Sequence, residues 1–246
     1  MKTLVTMTMN AGNSKVDGVR KLLIDVALFT GQHVDVIYGQ EFGDRDDLKN
    51  LLHHVGYQIV ETKDPGSGST PVFYYRKTMT LEESVWIQIL GRIFAGPGAG
   101  PDWLKPKGLN MTHLRHKGSG RRLRVSSWHA PASQQFKRRH ALARRAIPKI
   151  LHVYSYRVIR MIGGDMNTKA AQYVGLVRMM TKAGWTNTDI AGGVKETHGH
   201  NLYDQLWWAK TRLVHFIDHW TFEFGSDHRA KVGKWRVKPT RKMRDK

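Results

Sequence analysis

Runs rich in β-branched, aromatic and long apolar residues recur along this 246-residue chain, and several stop at a short polar cluster. Residues 157–162 lead into Gly163-Gly164-Asp165-Met166-Asn167, and residues 221–224 lead into Gly225-Ser226-Asp227-His228. Such runs read as strands, so each polar set belongs where a strand ends. The chain is thereby committed to sheets whose edges gather carboxylate, amide and imidazole groups, the usual place for chemistry on a rigid scaffold.

The opening residues, from Met1 to Asn10, alternate apolar residues with Thr and read as a first strand. Val19, Leu22, Leu23, Val26 and Phe29 then recur at helical spacing up to Gly31. A second strand over residues 34–38 ends at Gln40-Glu41, and Leu48, Leu51, Leu52 and Val55 mark a helix closed by Gly56. Beyond this strand-helix-strand-helix start, strands follow one another: residues 57–61, 72–76, 84–90, 111–116 and 123–128. Lys117-Gly118-Ser119-Gly120 joins the last two as a hairpin, while residues 64–71 and Gly96-Pro97-Gly98-Ala99-Gly100-Pro101 read as loops. A helix is expected over residues 134–150, capped by Ser133 and kinked at Pro148, and another over residues 174–183 ending at Gly184. Residues 202–208, 213–224 and 229–235 supply the last strands. No composition break divides the chain, so one domain over residues 1–237 is expected, with a basic mobile tail over residues 238–246.

Lys and Arg number 40 against 20 Asp and Glu, a formal net charge of +20 with His neutral. A charge that large repels itself unless a polyanion offsets it, which makes nucleic acid the leading partner. The basic stretches at residues 115–124, 137–145 and 231–246 carry much of it. With no cysteine, a disulfide framework and a thiolate metal site are both excluded, so any metal takes oxygen or imidazole ligands. The N-terminus has no continuous apolar stretch of about 7 to 15 residues, and no run reaches roughly 18. The expectation is a cytoplasmic protein with no membrane or protein partner.

Taken in order, Asn10, Gln40-Glu41, His129, Asp165-Met166-Asn167, Asp204 and Ser226-Asp227-His228 resemble the endonuclease/exonuclease/phosphatase superfamily, along nearly the whole chain. The resemblance implies an α/β (α+β) fold, a four-layered α-β-β-α sandwich of two mostly antiparallel sheets with helices outside. It implies hydrolysis of a phosphoester with Mg²⁺ (or Mn²⁺). Glu41, Asn10 and Asp227 would stand at the metal, which as a hard ion takes few carboxylates and keeps its waters. His228 would pair with the attacking water, and Asp204 would hold its imidazole in the working tautomer. Asp165 would orient the water or the leaving side, Asn167 would donate to phosphoryl oxygens, and His129 would contact the scissile phosphate. Asn187 and Arg76 are further substrate-binding candidates, and Asp189 and Asp218 are fallbacks for Asp204.

His198-Gly199-His200 lacks a third ligand at metal spacing, and His53-His54 suits a helix end, so neither reads as a metal site. The expected activity is a nuclease acting on DNA ahead of RNA. The alternatives are a phosphatase on a small phosphorylated molecule or lipid headgroup, and a nonenzymatic nucleic-acid-binding protein. Loops at residues 91–110 and 186–201 are expected to set specificity.

Overall fold

The computed structural model describes residues 1–61, 70–90, 107–129, 158–167, 170–197 and 203–243. The expected helix over residues 134–150, the Gly-Pro stretch at residues 96–101 and His198-Gly199-His200 lie outside them.

Strand β1 (Lys2–Asn10) shows how alternation builds the layers. Val5, Met7 and Met9 face outward onto Val19, Leu22 and Val26 of helix α1 (Val16–Thr30), whereas Leu4 faces inward. Gly31 ends α1 in the left-handed region (φ 75°) with its N–H on the Ala27 carbonyl. There follow β2 (Val36–Gln40), α2 (Asp46–His54), β3 (Tyr57–Val60), β4 (Val72–Tyr75), β5 (Met79–Leu90), β6 (Lys107–His116), β7 (Arg121–His129) and β8 (Ile159–Asp165). Helix α3 (Ala170–Lys182), β9 (Trp185–Asn187), the short α4 (Thr188–Gly192), β10 (Asp204–Ala209), β11 (Val214–Phe222) and β12 (Ala230–Val237) complete the order.

The strands form two six-stranded sheets, β11-β12-β1-β2-β4-β3 and β5-β6-β7-β8-β10-β9. Only β1 with β2 and β7 with β8 run parallel; every other pair is antiparallel. Three apolar cores separate four layers. One lies between α1, α2 and the first sheet, a second between the sheets around Tyr38, Trp208 and Trp235, and a third between the second sheet and α3. The expected α-β-β-α sandwich is the architecture observed. No helix among the described residues is long and apolar enough to cross a membrane.

Three expectations change. Strand β5 starts at Met79, earlier than residue 84, because it pairs with β6 down to His116. Residues 186–201 are not all loop, since β9 and α4 occupy residues 185–192. The start of the expected tail is fastened: Thr240 N–H bonds the Ser119 carbonyl at 2.8 Å, Arg121 donates to the Lys238 and Pro239 carbonyls, and Arg241–Met243 forms a 3-10 turn.

The two parallel pairs run so that β1, β2, β7 and β8 all end at one edge, which carries the residues expected to be catalytic and is hereafter called the catalytic edge. The sheets touch closely beneath it. Ser127 Oγ donates to the Gly39 carbonyl at 2.7 Å, Gln40 Nε2 donates to Ser127 Oγ at 3.1 Å, and Thr8 Oγ1 donates to Gln40 Oε1 at 3.1 Å. Gly163 is a glycine because the Tyr38 ring fills the space a Cβ would take. Gly163→Ala is therefore expected to cost about 1–3 kcal/mol through overpacking, read as a melting midpoint lower by about 2–4 °C per kcal/mol. An unchanged midpoint would refute this account of the sheet contact.

Candidate active site

Side-chain parity delivers the polar groups. In β7, β8 and β10 the inward residues are Leu123 and Val125, Ile159 and Met161, and Leu206 and Trp208; the same parity places His129, Asp165 and Asp204 on the inner face. Their registers coincide, with His129 opposite Asp165 and Asp165 opposite Asp204. Across the gap, Asn10 has the inward parity of Leu4 and stands opposite Gln40.

Asp165, 2% exposed, is the hub. Its Oδ1 accepts the Asn167 N–H at 2.7 Å, and its Oδ2 lies 3.5 Å from Asn10 Nδ2, 3.7 Å from His129 Nε2 and 4.0 Å from His228 Nε2. Burial, then the negative charge of Asp204, push its pKa up to about 7 against the opposing pull of His228.

Asp204 is fully buried and accepts from His228 Nδ1 through Oδ2 at 2.6 Å, while its N–H donates to Thr197 Oγ1. The loop carrying His228 is stitched to β1 through Ser226, whose Oγ donates to the Asn10 carbonyl and accepts the His228 N–H. With Nδ1–H given to Asp204, Nε2 is left facing Asp165 and the cleft. Burial works against charge on this imidazole, yet the Asp204 hydrogen bond and the charges of Asp204, Asp165 and Asp227 outweigh it, raising the pKa to about 9.

Glu41 (φ 60°) and Asn167 (φ 44°) are the two non-glycine residues with positive φ among the described residues. Such backbone is costly, by roughly 1–3 kcal/mol each, and persists where surrounding structure imposes it, commonly at working sites. Both belong to the catalytic edge. The Glu41 carboxylate is 43% exposed, takes the space above Gly12 that a Cβ would fill, and accepts from Asn10 Nδ2 at 3.1 Å; His129 Nε2 is 3.7 Å away. Asn10 Oδ1 accepts the Gly12 N–H at 3.1 Å, which leaves one lone pair on that oxygen.

This donor set fits a hard, hydrated cation. Among the described residues no three His, Asp or Glu close round a point. An open carboxylate at Glu41, a carbonyl lone pair at Asn10 and the exposed Asp227 match the sparse oxygen ligation of such an ion, which keeps several waters.

Eight of the ten expected site residues thus converge: Asn10, Glu41, His129, Asp165, Asn167, Asp204, Asp227 and His228. Two do not. Arg76 follows β4, which runs antiparallel to β2, so it lies at the opposite end of the sandwich from Gln40. Asn187 is fully buried and accepts the Ile190 N–H as the cap of α4, three residues along β10 from Asp204 by its pairing with Trp207. Of the fallbacks, Asp218 is exposed and accepts the His219 N–H. Asp189 is paired with the fully buried Lys231, whose Nζ donates to both carboxylate oxygens at 2.7 and 2.8 Å. Lys231 was legible in retrospect, since it shares the inward parity of Trp235 and Val237 on β12. Burial lowers its pKa, while Asp189 and then Asp204 favour its charge.

The chain has the fold of the endonuclease/exonuclease/phosphatase superfamily, the deoxyribonuclease I-like sandwich. It is similar to an endonuclease/exonuclease/phosphatase of Bacteroides vulgatus, with TM-score 0.75 at 14% identity over 97% of this chain and 100% of that one. It is also similar to D. rerio TDP2 complexed with single-strand DNA product (TM-score 0.71, 16% identity, 96% and 100%) and to a mannosyl-6-phosphatase of Bacteroides thetaiotaomicron (TM-score 0.73, 13% identity, 95% and 100%). No protein-family model matches the sequence, and no curated protein is similar to it in sequence.

His228 and Asp165 both hold raised pKa values, so both favour folding at low pH. The His228 contribution is fully present below its ordinary 6.5 and lost as pH rises through about 9; that of Asp165 fades between 3.8 and about 7. In chelator, the melting midpoint is expected to fall as pH rises from 6.5 to about 9 and to level off for this group above that, and NMR should show the His228 ring titrating near 9. Asp204→Asn should flatten the fall and move that titration down by more than a pH unit, as the hydrogen-bonded charge is gone and burial remains. An unmoved titration would contradict the pairing.

Proposed function

We propose that this protein is a divalent-metal-dependent phosphodiesterase that cuts nucleic acid, DNA ahead of RNA, by water attack. The observation that carries the reading is the imidazole of His228, pinned through Nδ1 on buried Asp204 with Nε2 turned to Asp165 and the cleft. That is the arrangement of an oriented general base.

Glu41, Asn10 and Asp227 would hold Mg²⁺ or Mn²⁺, which when bound neutralises charge on the phosphoryl oxygens. The residues supply the rest. His228 Nε2, in the neutral imidazole that the charge of a bound cation would favour, takes a proton from water as the new oxygen–phosphorus bond forms, and Asp204 stabilises the resulting imidazolium. Asn167 donates its side-chain amide to phosphoryl oxygens whose charge grows, and its left-handed backbone holds it at the end of β8. Asp165, half protonated at its raised pKa and largely protonated below it, and His129 stand at the leaving side, where the departing oxygen must gain a proton as its bond to phosphorus breaks.

The +20 charge supports a polyanionic substrate over a small phosphoester, for which a few cations suffice. The likeness to TDP2 bound to single-strand DNA product points the same way. The likeness to a mannosyl-6-phosphatase makes release of phosphate from a soluble monoester the competing reading.

Purified protein is expected to degrade oligonucleotides with Mg²⁺ or Mn²⁺ and to stop on adding chelator. His228→Ala should lower kcat by about 10²–10⁴, while substrate binding in chelator is retained. Phosphate release from sugar phosphates with oligonucleotides left intact would replace this reading with the phosphatase, and oligonucleotide binding without turnover under every metal condition would replace it with a binding protein.

A further inference from the structure

The end of the sandwich opposite the catalytic edge has its own character. The Lys117-Gly118-Ser119-Gly120 hairpin, the turn after β10, the start of β1 and the segment after β12 all meet there. Thr240 N–H reaches the Ser119 carbonyl, Lys238 N–H reaches the Leu213 carbonyl at 2.9 Å, and Gly118 lies beside the Lys2 stem. Lys2, Lys117, Arg212, Lys238, Arg241 and Lys242 are thereby gathered on one surface, and all six are exposed.

Several cations elsewhere on the described surface are matched: Arg20 with Asp17, Lys21 with Asp25, Lys49 with Asp46 and Glu61, and Arg122 with Glu82. Among the described residues no Asp or Glu pairs with any of the six at this pole. Lys117 Nζ instead donates to the Arg76 carbonyl, and Arg121 donates to the Lys238 and Pro239 carbonyls, which adds two guanidinium groups to the same end. Crowding like charges without counter-charge costs folding free energy unless something anionic offsets it.

We propose that this pole is a second anion-binding surface, holding the phosphate backbone of a nucleic acid strand away from the site of cleavage. β7 runs from Arg121 at the pole to His129 at the catalytic edge in nine residues, a distance of about 26 Å. That equals about eight nucleotide steps at roughly 3.4 Å each, so a long strand engages both ends and a dinucleotide only one. Lys and Arg scattered over a surface, with guanidinium groups suited to bidentate phosphate contact, give backbone binding without sequence preference. An anionic membrane is the poorer fit, since peripheral binding draws on large apolar side chains, and among the described residues the hairpin, the turn after β10 and the segment after β12 leave none exposed. The proposal shares the nucleic-acid reading of the substrate but needs no catalysis.

The test uses the full chain carrying Lys117→Ala, Lys238→Ala, Arg241→Ala and Lys242→Ala together. Affinity for a 30-nucleotide single strand is measured in chelator across a salt series, beside metal-dependent hydrolysis of bis(p-nitrophenyl) phosphate. The variant is expected to bind the strand at least ten-fold more weakly at about 0.1 M salt, with a log–log salt slope shallower by about 3, while hydrolysing the small diester at the wild-type rate. Unchanged affinity and slope would overturn the proposal, as would pole-dependent binding of phosphatidylserine vesicles with no pole-dependent binding of the strand. If wild-type protein hydrolyses neither ester nor strand yet loses strand affinity in the variant, the pole stands and the catalytic reading fails.

Discussion

Everything at the catalytic edge depends on two sheets packed so that the ends of their parallel pairs coincide. That coincidence is set by close contacts rather than by loops. Gly163 lies under the Tyr38 ring, and the Thr8, Gln40, Ser127 and Gly39 chain of hydrogen bonds ties β1, β2 and β7 together just below the site. Polar groups buried in that position are costly unless each finds a partner, and here the partners are one another. The inner layer is apolar around Leu4, Val36 and Val237 and becomes more polar toward the strand ends that carry the site. The scaffold is therefore rigid where the reacting groups are mounted.

The electrostatics follow from crowding two carboxylates, Asp165 and Asp204, into one buried row. The row gives the two different environments. Asp204 takes the Nδ1 proton of His228 at 2.6 Å, whereas Asp165 is pushed up to about 7 by burial and by its neighbour's charge. Groups whose surroundings drive their proton affinities apart are suited to acid and base roles. Behind the row, the fully buried Lys231–Asp189 pair adds a fixed cation near Asp204. An ion pair in that position brings little net stability, because desolvation offsets its attraction, but removing either partner leaves a buried charge.

Much of this was legible in the amino-acid sequence, and the boundary is physical. Alternation fixed which face of β8 and β10 carries Asp165 and Asp204, and the order of polar stations matched a fold whose edge collects them. What failed were residues whose role depends on strand direction or on long-range partners. Arg76 is the exposed strand-end cation the sequence suggests, but as a substrate contact it is misplaced, because β4 runs antiparallel to β2 and carries it to the far pole. Asn187 looked like a loop amide, yet it is spent capping α4. Lys231 was read into the basic stretch over residues 231–246 because Lys defaults to solvent, and its partner Asp189 lies 42 residues away. The basic stretches at residues 115–124 and 231–246 pointed to a polyanionic substrate, whereas topology sends the hairpin between β6 and β7 and the residues after β12 to the end opposite the site.

The central claim is that the Asp204–His228 pair drives direct attack of water on phosphorus, with no covalent enzyme intermediate. The most direct measurement is the stereochemical course of hydrolysis of a phosphorothioate diester made chiral at phosphorus, run in ¹⁸O-water. One in-line displacement by water predicts inversion of configuration with a single ¹⁸O in the product. Retention would require a phosphorylated side chain, with His228 or His129 as nucleophile, and would contradict the account.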